Sequence, residues 1–199
     1  MDIQIIEKPD WVSWDEIKQC LMNAHAENRS KGIVMRKPSL PASEIEKEIG
    51  DAGIMLVALD GPKVVGTAAL LIKEKNTWYN IGICGYLCFA AILPAYNGKG
   101  IYKRLCEKRE EIAKKKGIDR LFFDTHHKNQ HVISINKSQG FKCVDVKMLR
   151  DHWNVVMFKW LNGCPYSDTR CWVEFSGRKI YKIIRKTTKA FLFKISCRK

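Results

Sequence analysis

The residues best suited to chemistry in this chain are Asn97-Gly98-Lys99-Gly100, set between an apolar run that ends near Pro94 and a segment with helical spacing. A strand that delivers a short glycine loop to a helix start presents unpaired backbone N–H groups at the positive end of the helix dipole. Glycine lets an anion approach those donors, so the loop reads as a phosphate cradle, and a pyrophosphate fits it best. A tight connection that binds nothing fits the same glycines. A second set of candidates lies at Asp124, His126 and His127. Asp124 and His126 point the same way if a strand continues through them, and an imidazole suits proton removal near neutral pH. Solvated loop histidines are the plainer reading. Tyr86 and Cys88 share a face of the apolar run, as part of a site wall or of the core.

These residues need a scaffold, and its elements follow in order. Residues 2–6 alternate weakly and read as a first strand. Ser13 and Glu16 have capping-box spacing before a helical stripe of Ile17, Leu21 and Ala24. Residues 28–41 read as a loop. Ser43 and Glu46 repeat the capping-box spacing for a short helix that ends at Gly50. Asp60-Gly61 marks a hairpin between strands at 54–59 and 64–73, and residues 76–82 read as a loop. The central strand covers residues 84–93. Ile101, Leu105, Ile112 and Ala113 then share one helical face that stops at Gly117. A buried-type strand over 121–124, a helix over 129–138 closed by Gly140, and strands over 141–149 and 155–160 complete the chain. Strands alternating with helices in the second half predict parallel pairing there, after antiparallel pairing in the first. The expected fold is α/β (α+β), a mixed, mainly antiparallel central sheet flanked by helices.

Length and composition bound the rest. With 199 residues and 46% apolar content the chain can bury one sizeable core. The first 11 residues have no apolar core of the secretory type, and no apolar run reaches the roughly 18 residues of a spanning helix. The eight cysteines form no C-x-x-C pair, which predicts free thiols, no metal site and a cytoplasmic location. The net charge of +14 is uneven: nine of the 35 basic residues and no acid lie in residues 178–199.

From Leu93 to Leu105, LPAYNGKGIYKRL, the chain resembles the GNAT (GCN5-related N-acetyltransferase) superfamily. That family's loop reads Gln/Arg-x-x-Gly-x-Gly/Ala. Asn97 stands at the Gln/Arg position, Gly100 at the first glycine and Tyr102 at the second small residue. Asn129 followed by Gly140-Phe141, and Asp60-Gly61 followed by Val65-Gly66-Thr67, are similar to two further segments of the family. The element order matches over residues 2–150.

The resemblance implies a GNAT-like acyl-CoA N-acyltransferase domain over residues 1–160, with 161–199 as a C-terminal extension. It implies acetyl-CoA as co-substrate, with its pyrophosphate on the backbone of Asn97, Gly98, Lys99, Gly100, Ile101 and Tyr102. Pantetheine would pair with Ala91, Ile92 and Leu93 where the sheet splays, and Asn129 and Asn136 would complete the cofactor-binding set. An N–H near Ile92 or Leu93 would hold the oxyanion. Many members place a tyrosine where this chain has Asn136, to protonate the leaving sulfur. Here Asn136 offers a hydrogen bond only, and Tyr102 is the nearest phenol, unless it simply packs on the helix. Asp124 and His126 are the candidate base.

The implied reaction is acetyl transfer to a primary amine, expected on a small molecule such as an amino sugar or cell-envelope precursor. Arg29, Lys31, Arg36 and Lys37 would suit an anionic acceptor, or simply be solvated. Two other classes stay open: a CoA-binding module without catalysis, and an adaptor acting through the tail. Ile180, Ile183, Ile184, Thr187 and Phe191 make residues 178–199 a basic amphipathic helix. It would pack on the domain or a homodimer mate, or touch an anionic membrane at the inner face, and nucleic acid fits it less well.

Overall fold

The computed structural model describes residues 2–33, 39–77, 80–149 and 152–163, with side chains at 75–81 excepted. Seven strands form one sheet in the order β1-β2-β3-β4-β5-β7-β6. They are β1 (Ile3–Glu7), β2 (Ile54–Asp60), β3 (Lys63–Thr77), β4 (Asn80–Ile92), β5 (Arg120–His126), β6 (Lys142–Met148) and β7 (Trp153–Trp160). Five helices accompany them: α1 (Trp14–Ala24), α2 (Ala26–Ser30), α3 (Ala42–Ile49), α4 (Ile101–Lys115) and α5 (Gln130–Ser138). The sheet is mixed and mainly antiparallel, with helices on both faces, as expected.

The first half follows the local signals closely. Ser13 caps α1 through a reciprocal pair: Glu16 N–H donates to Ser13 Oγ at 3.2 Å, and Ser13 N–H to Glu16 Oε2 at 2.8 Å. Such a cap is worth about 0.5–2 kcal/mol. Ile17, Cys20 and Leu21 bury one face of α1 against β3 and β4. The second capping-box expectation is corrected: α3 starts at Ala42 with Pro41 at its N-cap and no side-chain cap, which leaves Ser43 inside the first turn. Residues 28–30, expected in a loop, belong to the short α2.

The expected loop at 76–82 is likewise replaced by strand. Thr77 and Asn80 are register partners, and Asn76 and Gly82 lie within the β3–β4 ladder. Cross-strand pairing overrides the weak strand propensity of Asn and Gly. Trp78 and Tyr79 lie outside the described residues, as do Arg36, Lys37, Arg150, Asp151 and residues 164–199, which hold the amphipathic tail.

In the second half only β4 and β5 pair in parallel. The expected parallel pairing of β5 with β6 is corrected. The crossover through α5 returns β6 in the same direction as β5 but one strand further out, and β7 runs antiparallel to both between them. The β6–β7 hairpin closes that half without a second crossover.

Strand alternation divides the core between the two faces. Val65, Ala68, Leu70, Leu87 and Phe123 pack under α4 with Ile101, Leu105, Ile112 and Ala113. Val64, Ala69, Leu71 and Cys88 pack on the opposite face with α1 and α3. Arg109 is 2% exposed and interrupts the apolar stripe of α4.

Two irregularities make room for a site. Ala69 pairs with Cys88 while Thr67 pairs with Ala91, so two residues of β4, Phe89 and Ala90, oppose the single Ala68. This bulge puts Phe89 at φ +50°, the one positive φ outside glycine among the described residues. Thr67 Oγ1 donates to the Phe89 carbonyl at 2.7 Å and holds it there. The second irregularity is the short β4–β5 ladder, which contains only Gly85↔Leu121 and Tyr86↔Phe122. A Cβ on Gly85 would lie 2.5 Å from Leu121 Cδ2 and 2.7 Å from Leu70 Cδ1, so the closest approach of the two strands needs glycine. Beyond Tyr86 they part.

Candidate active site

The gap between β4 and β5 holds a cavity of about 370 Å³. Its walls come from the bulged end of β4, the C-terminal end of β5, the first three turns of α4, the inner face of α5 and the β6–β7 connection. The structure brings Tyr102, Asn129, Asn136, Asp124 and His126 onto this one cavity, with Tyr86 and Cys88. Ala90 and Tyr102 both line it, while the expected cofactor contacts between them, Ala91 to Ile101, lie beyond its lining.

Two polar clusters stand in it. Asn136 Nδ2 donates to Tyr102 Oη at 2.9 Å and to the Val132 carbonyl at 2.8 Å, while Asn136 Oδ1 is buried without a partner. Burial above all, with Cys106 adding, pushes the Tyr102 phenol up to about 12, so it is protonated across the neutral range. The second cluster centres on Asp124. Tyr86 donates to its Oδ1 at 3.0 Å and Asn154 Nδ2 to its Oδ2 at 2.7 Å. Burial first, then the Asp124 charge, raises the Tyr86 phenol well above its usual range. Asn154 Oδ1 is buried without a partner. Leu87 and Phe123 point under α4, so their neighbours Tyr86 and Asp124 face the other side of the sheet. The Tyr102–Asn136 pair, on α4 and α5, and the Asp124 cluster therefore reach the gap from opposite faces.

His126 is 3% exposed and stacks between the rings of His127 and His152, each centroid 4.6 Å away. Lys128 N–H donates to its Nδ1 at 3.1 Å, so the neutral ring carries its proton on Nε2. In that state it donates at Nε2, and taking a proton at Nδ1 means giving up Lys128. Asn129, the N-cap of α5, turns its amide inward to Thr125 Oγ1 at 3.2 Å.

Two features of the site were not legible as such. His25, which reads as a surface or packing residue on sequence, places Nε2 3.2 Å from the Ala90 carbonyl at the bulge and receives Asn28 Nδ2 at Nδ1, at 3.1 Å. Burial first, and Arg29 nearby, hold this imidazole below its ordinary range against the Ala90 bond. Arg109 also reaches the cavity. Its signal in the sequence was a charge eight residues after Ile101, on the apolar stripe.

The loop fits a phosphate ligand on conformation. Gly98 and Gly100 have φ of +75° and +72°, and a Cβ on either would meet no atom within 4 Å, so the space before the helix is open. Gly100 is the N-cap of α4 and gives it no side-chain cap, which leaves the first N–H groups available. Lys99 stands over the Tyr96 ring at 4.7 Å. Of the two positions expected to offer an oxyanion donor, Ile92 and Leu93, the Leu93 N–H already donates to the Val65 carbonyl at 2.9 Å. Of the basic residues expected near the acceptor, Arg29 donates to the Met22 carbonyl at 2.8 Å and Lys31 pairs with Glu27. Among the described residues, Cys20 and Cys106 are free thiols. None of the described helices is long and apolar enough to cross a membrane.

Comparison with known proteins bears on this geometry. The family model for the acetyltransferase (GNAT) family matches residues 15–141. N-alpha-acetyltransferase 30 of Schizosaccharomyces pombe is 26% identical over 85 residues, which cover 43% of this chain and 55% of that protein, so the match spans about half of the relative's length. The crystal structure of an aminoglycoside 6'-N-acetyltransferase complexed with coenzyme A shares the fold with a TM-score of 0.61 at 16% identity, covering 84% of this chain and 100% of that one. A chain of the NatC complex bound to Gag peptide and CoA does so with a TM-score of 0.63 at 14% identity, covering 80% of this chain and 99% of that one. With the family model covering most of the sheet, both the splayed strands and the glycine loop, the chain belongs to the acetyltransferase (GNAT) family.

Proposed function

We propose that the protein transfers an acetyl group from acetyl-CoA to a primary amine of a small molecule, by direct attack with both substrates bound. The observation that carries this reading is the pair of polar clusters, Tyr102–Asn136 and Tyr86–Asp124–Asn154, that reach one cavity from opposite faces of the sheet. One suits the departing sulfur and the other the entering amine.

The backbone from Asn97 to Tyr102 binds the pyrophosphate, and the open end of β4, Ala91 and Ile92 included, lies along the pantetheine arm. Asp124 keeps lone pairs beyond those used by Tyr86 and Asn154, and the buried Asn154 Oδ1 still needs a donor. An ammonium group satisfies both. Asp124 then takes the proton, directly or through water. The freed amine attacks the thioester carbonyl. As the C–S bond breaks, Tyr102 gives its proton to the sulfur and Asn136 holds the phenol in place. Positioning supplies much of the rate, and acid–base help adds about 10²–10⁴-fold.

A cavity of about 370 Å³ is near the lower end of small-molecule sites, which supports a compact acceptor such as an amino sugar. A second reading, a peptide N-terminus as acceptor, is supported by the likeness to NatC and to N-alpha-acetyltransferase 30. Thiol release from acetyl-CoA, measured on the full chain with amino sugars, sugar nucleotides bearing an amine, and peptides with free N-termini, separates them. Turnover with small amines is the expected result. Turnover with peptides alone establishes the second reading, and tight acetyl-CoA binding with no turnover on any amine overturns both.

A further inference from the structure

Arg109 heads the largest fully buried side chains of the described residues, and it lines the cavity. Nη1 meets the Ala69 carbonyl at 3.4 Å, Nη2 meets Cys106 Sγ at 3.2 Å, and Nε is buried with no partner at all. Neither acceptor is a carboxylate. An arginine stays charged at any working pH, and a buried charge with only a carbonyl and a sulfur beside it is costly. The β4 bulge explains part of the arrangement, because Ala69 sits where the ladder is interrupted and its carbonyl gains a donor. That satisfies the carbonyl and leaves the charge unanswered.

The position of Arg109 says which ligand would answer it. Tyr102, Cys106 and Arg109 follow one another along the inner side of α4, and long helical side chains lean back toward the N-terminus. The guanidinium therefore lies beneath Cys106 and close to the Tyr102–Asn136 pair, on the donor side of the gap. The Asp124 cluster, on the acceptor side, already carries its own negative charge. The part of a bound donor that extends from the sulfur into this corner is its acyl group.

We infer that the corner beneath Tyr102 is an acyl-chain site whose anionic anchor is Arg109, so that the protein takes a short dicarboxylic acyl-CoA, of malonyl or succinyl type, in preference to an uncharged acyl-CoA of the same length. The inference rests on the proposed seating of the thioester at Tyr102; it keeps acyl transfer to an amine and replaces acetyl, as the preferred acyl group, by one that carries a distal carboxylate. The group transfer is unchanged in its balance: the amine nitrogen forms the new C–N bond, the C–S bond breaks, the sulfur takes a proton, and the distal carboxylate stays intact against Arg109.

Binding to the full chain decides this without turnover. The probes are CoA itself and two stable CoA thioethers of equal length, one ending in a carboxylate and one in a methyl group. The wild-type chain should hold the carboxylate-ended thioether tighter than the methyl-ended one by about tenfold or more, the contribution of one charge-assisted hydrogen-bonded pair. Arg109→Met should remove that difference and leave CoA affinity unchanged. Equal wild-type affinity for the two thioethers overturns the inference while leaving the proposed function standing, and that comparison is complete even where Arg109→Met fails to fold. Loss of the Arg109→Met variant's CoA affinity along with its preference also overturns it, since the side chain would then act on the fold alone. Failure of CoA itself to bind overturns the proposed function and this inference with it.

Discussion

Tyr102 Oη lies 2.9 Å from Asn136 Nδ2, so the phenol accepts that hydrogen bond and its own proton, directed to Cys106, is not spent on the amide. The two residues are 34 apart in sequence and come from different helices. An amide at position 136 cannot donate a proton usefully to a thiolate, but it can hold a phenol that does. Tyr102→Phe should therefore lower kcat by about 10²–10⁴-fold with acetyl-CoA affinity nearly unchanged. Because the phenol is pushed up to about 12, it stays protonated through ordinary assay conditions. Any alkaline loss of activity below that pH should persist in the Tyr102→Phe residual rate. An unchanged kcat in the variant would remove Tyr102 from the chemistry.

The glycine loop can be tested by charge at constant shape. Asn and Asp both tolerate the left-handed conformation that Gly100 adopts at φ +72°. Gly100→Asp puts a carboxylate where a pyrophosphate is proposed, and Gly100→Asn does not. Repulsion of about 1–2 kcal/mol near a surface predicts acetyl-CoA affinity roughly tenfold weaker for Asp than for Asn. Equal affinities, measured by calorimetry on folded variants, would place the phosphates elsewhere.

Thr67 is fully buried and its hydroxyl holds the Phe89 carbonyl at the bulge. Thr67→Val keeps the shape and removes the donor. Stability should fall by about 1–3 kcal/mol, the cost of stripping a buried acceptor of a partner. Thermal unfolding checks this, and a loss of less than about 0.5 kcal/mol would mean that the bulge is held by packing alone.

His25 supplies a pH signature. Its folded pKa lies below the ordinary 6.5, chiefly through burial, so the unfolded chain binds the proton more readily. Its contribution to stability is then complete above about 6.5 and is lost as the pH falls below that value, toward the folded pKa. The Tm of the wild-type chain should drop between pH 7.5 and 5, and His25→Gln, which cannot titrate, should drop less. Parallel acid slopes for the two proteins would assign the loss to other groups.

The elements were mostly legible because their signals are local. Ser13 and Glu16 sit three residues apart, and their cap formed as spaced. Ser43 and Glu46 carry the same spacing without the cap, because the N-cap falls on Pro41, two residues too early for Ser43 to take that role. The gap between β4 and β5 was expected only through family resemblance. Nothing near Phe89 announces a bulge, since a positive φ at an aromatic residue has no sequence mark and arises from the register on both sides. Likewise, the residues Tyr102, Asn136, Asp124 and His126 could be named from the sequence, but their partners could not. The contacts of Asp124 with Tyr86 and Asn154 join three strands, and only the completed sheet sets them side by side. Arg109 is the instructive miss. A charge on an apolar stripe looks like noise in a periodicity and is instead the sharpest clue to the cavity's corner.

The β4–β5 ladder is only two residue pairs long, and it is the sole main-chain seam between β1–β4 and β5–β7 among the described strands. A donor lying in the gap touches both sides of that seam, so cohesion of the two half-sheets and occupancy by the donor form one linked equilibrium. The protein's resistance to unfolding should therefore rise with donor concentration as RT ln(1 + [L]/Kd). In a cell, the amount of intact enzyme would track the supply of the molecule it consumes.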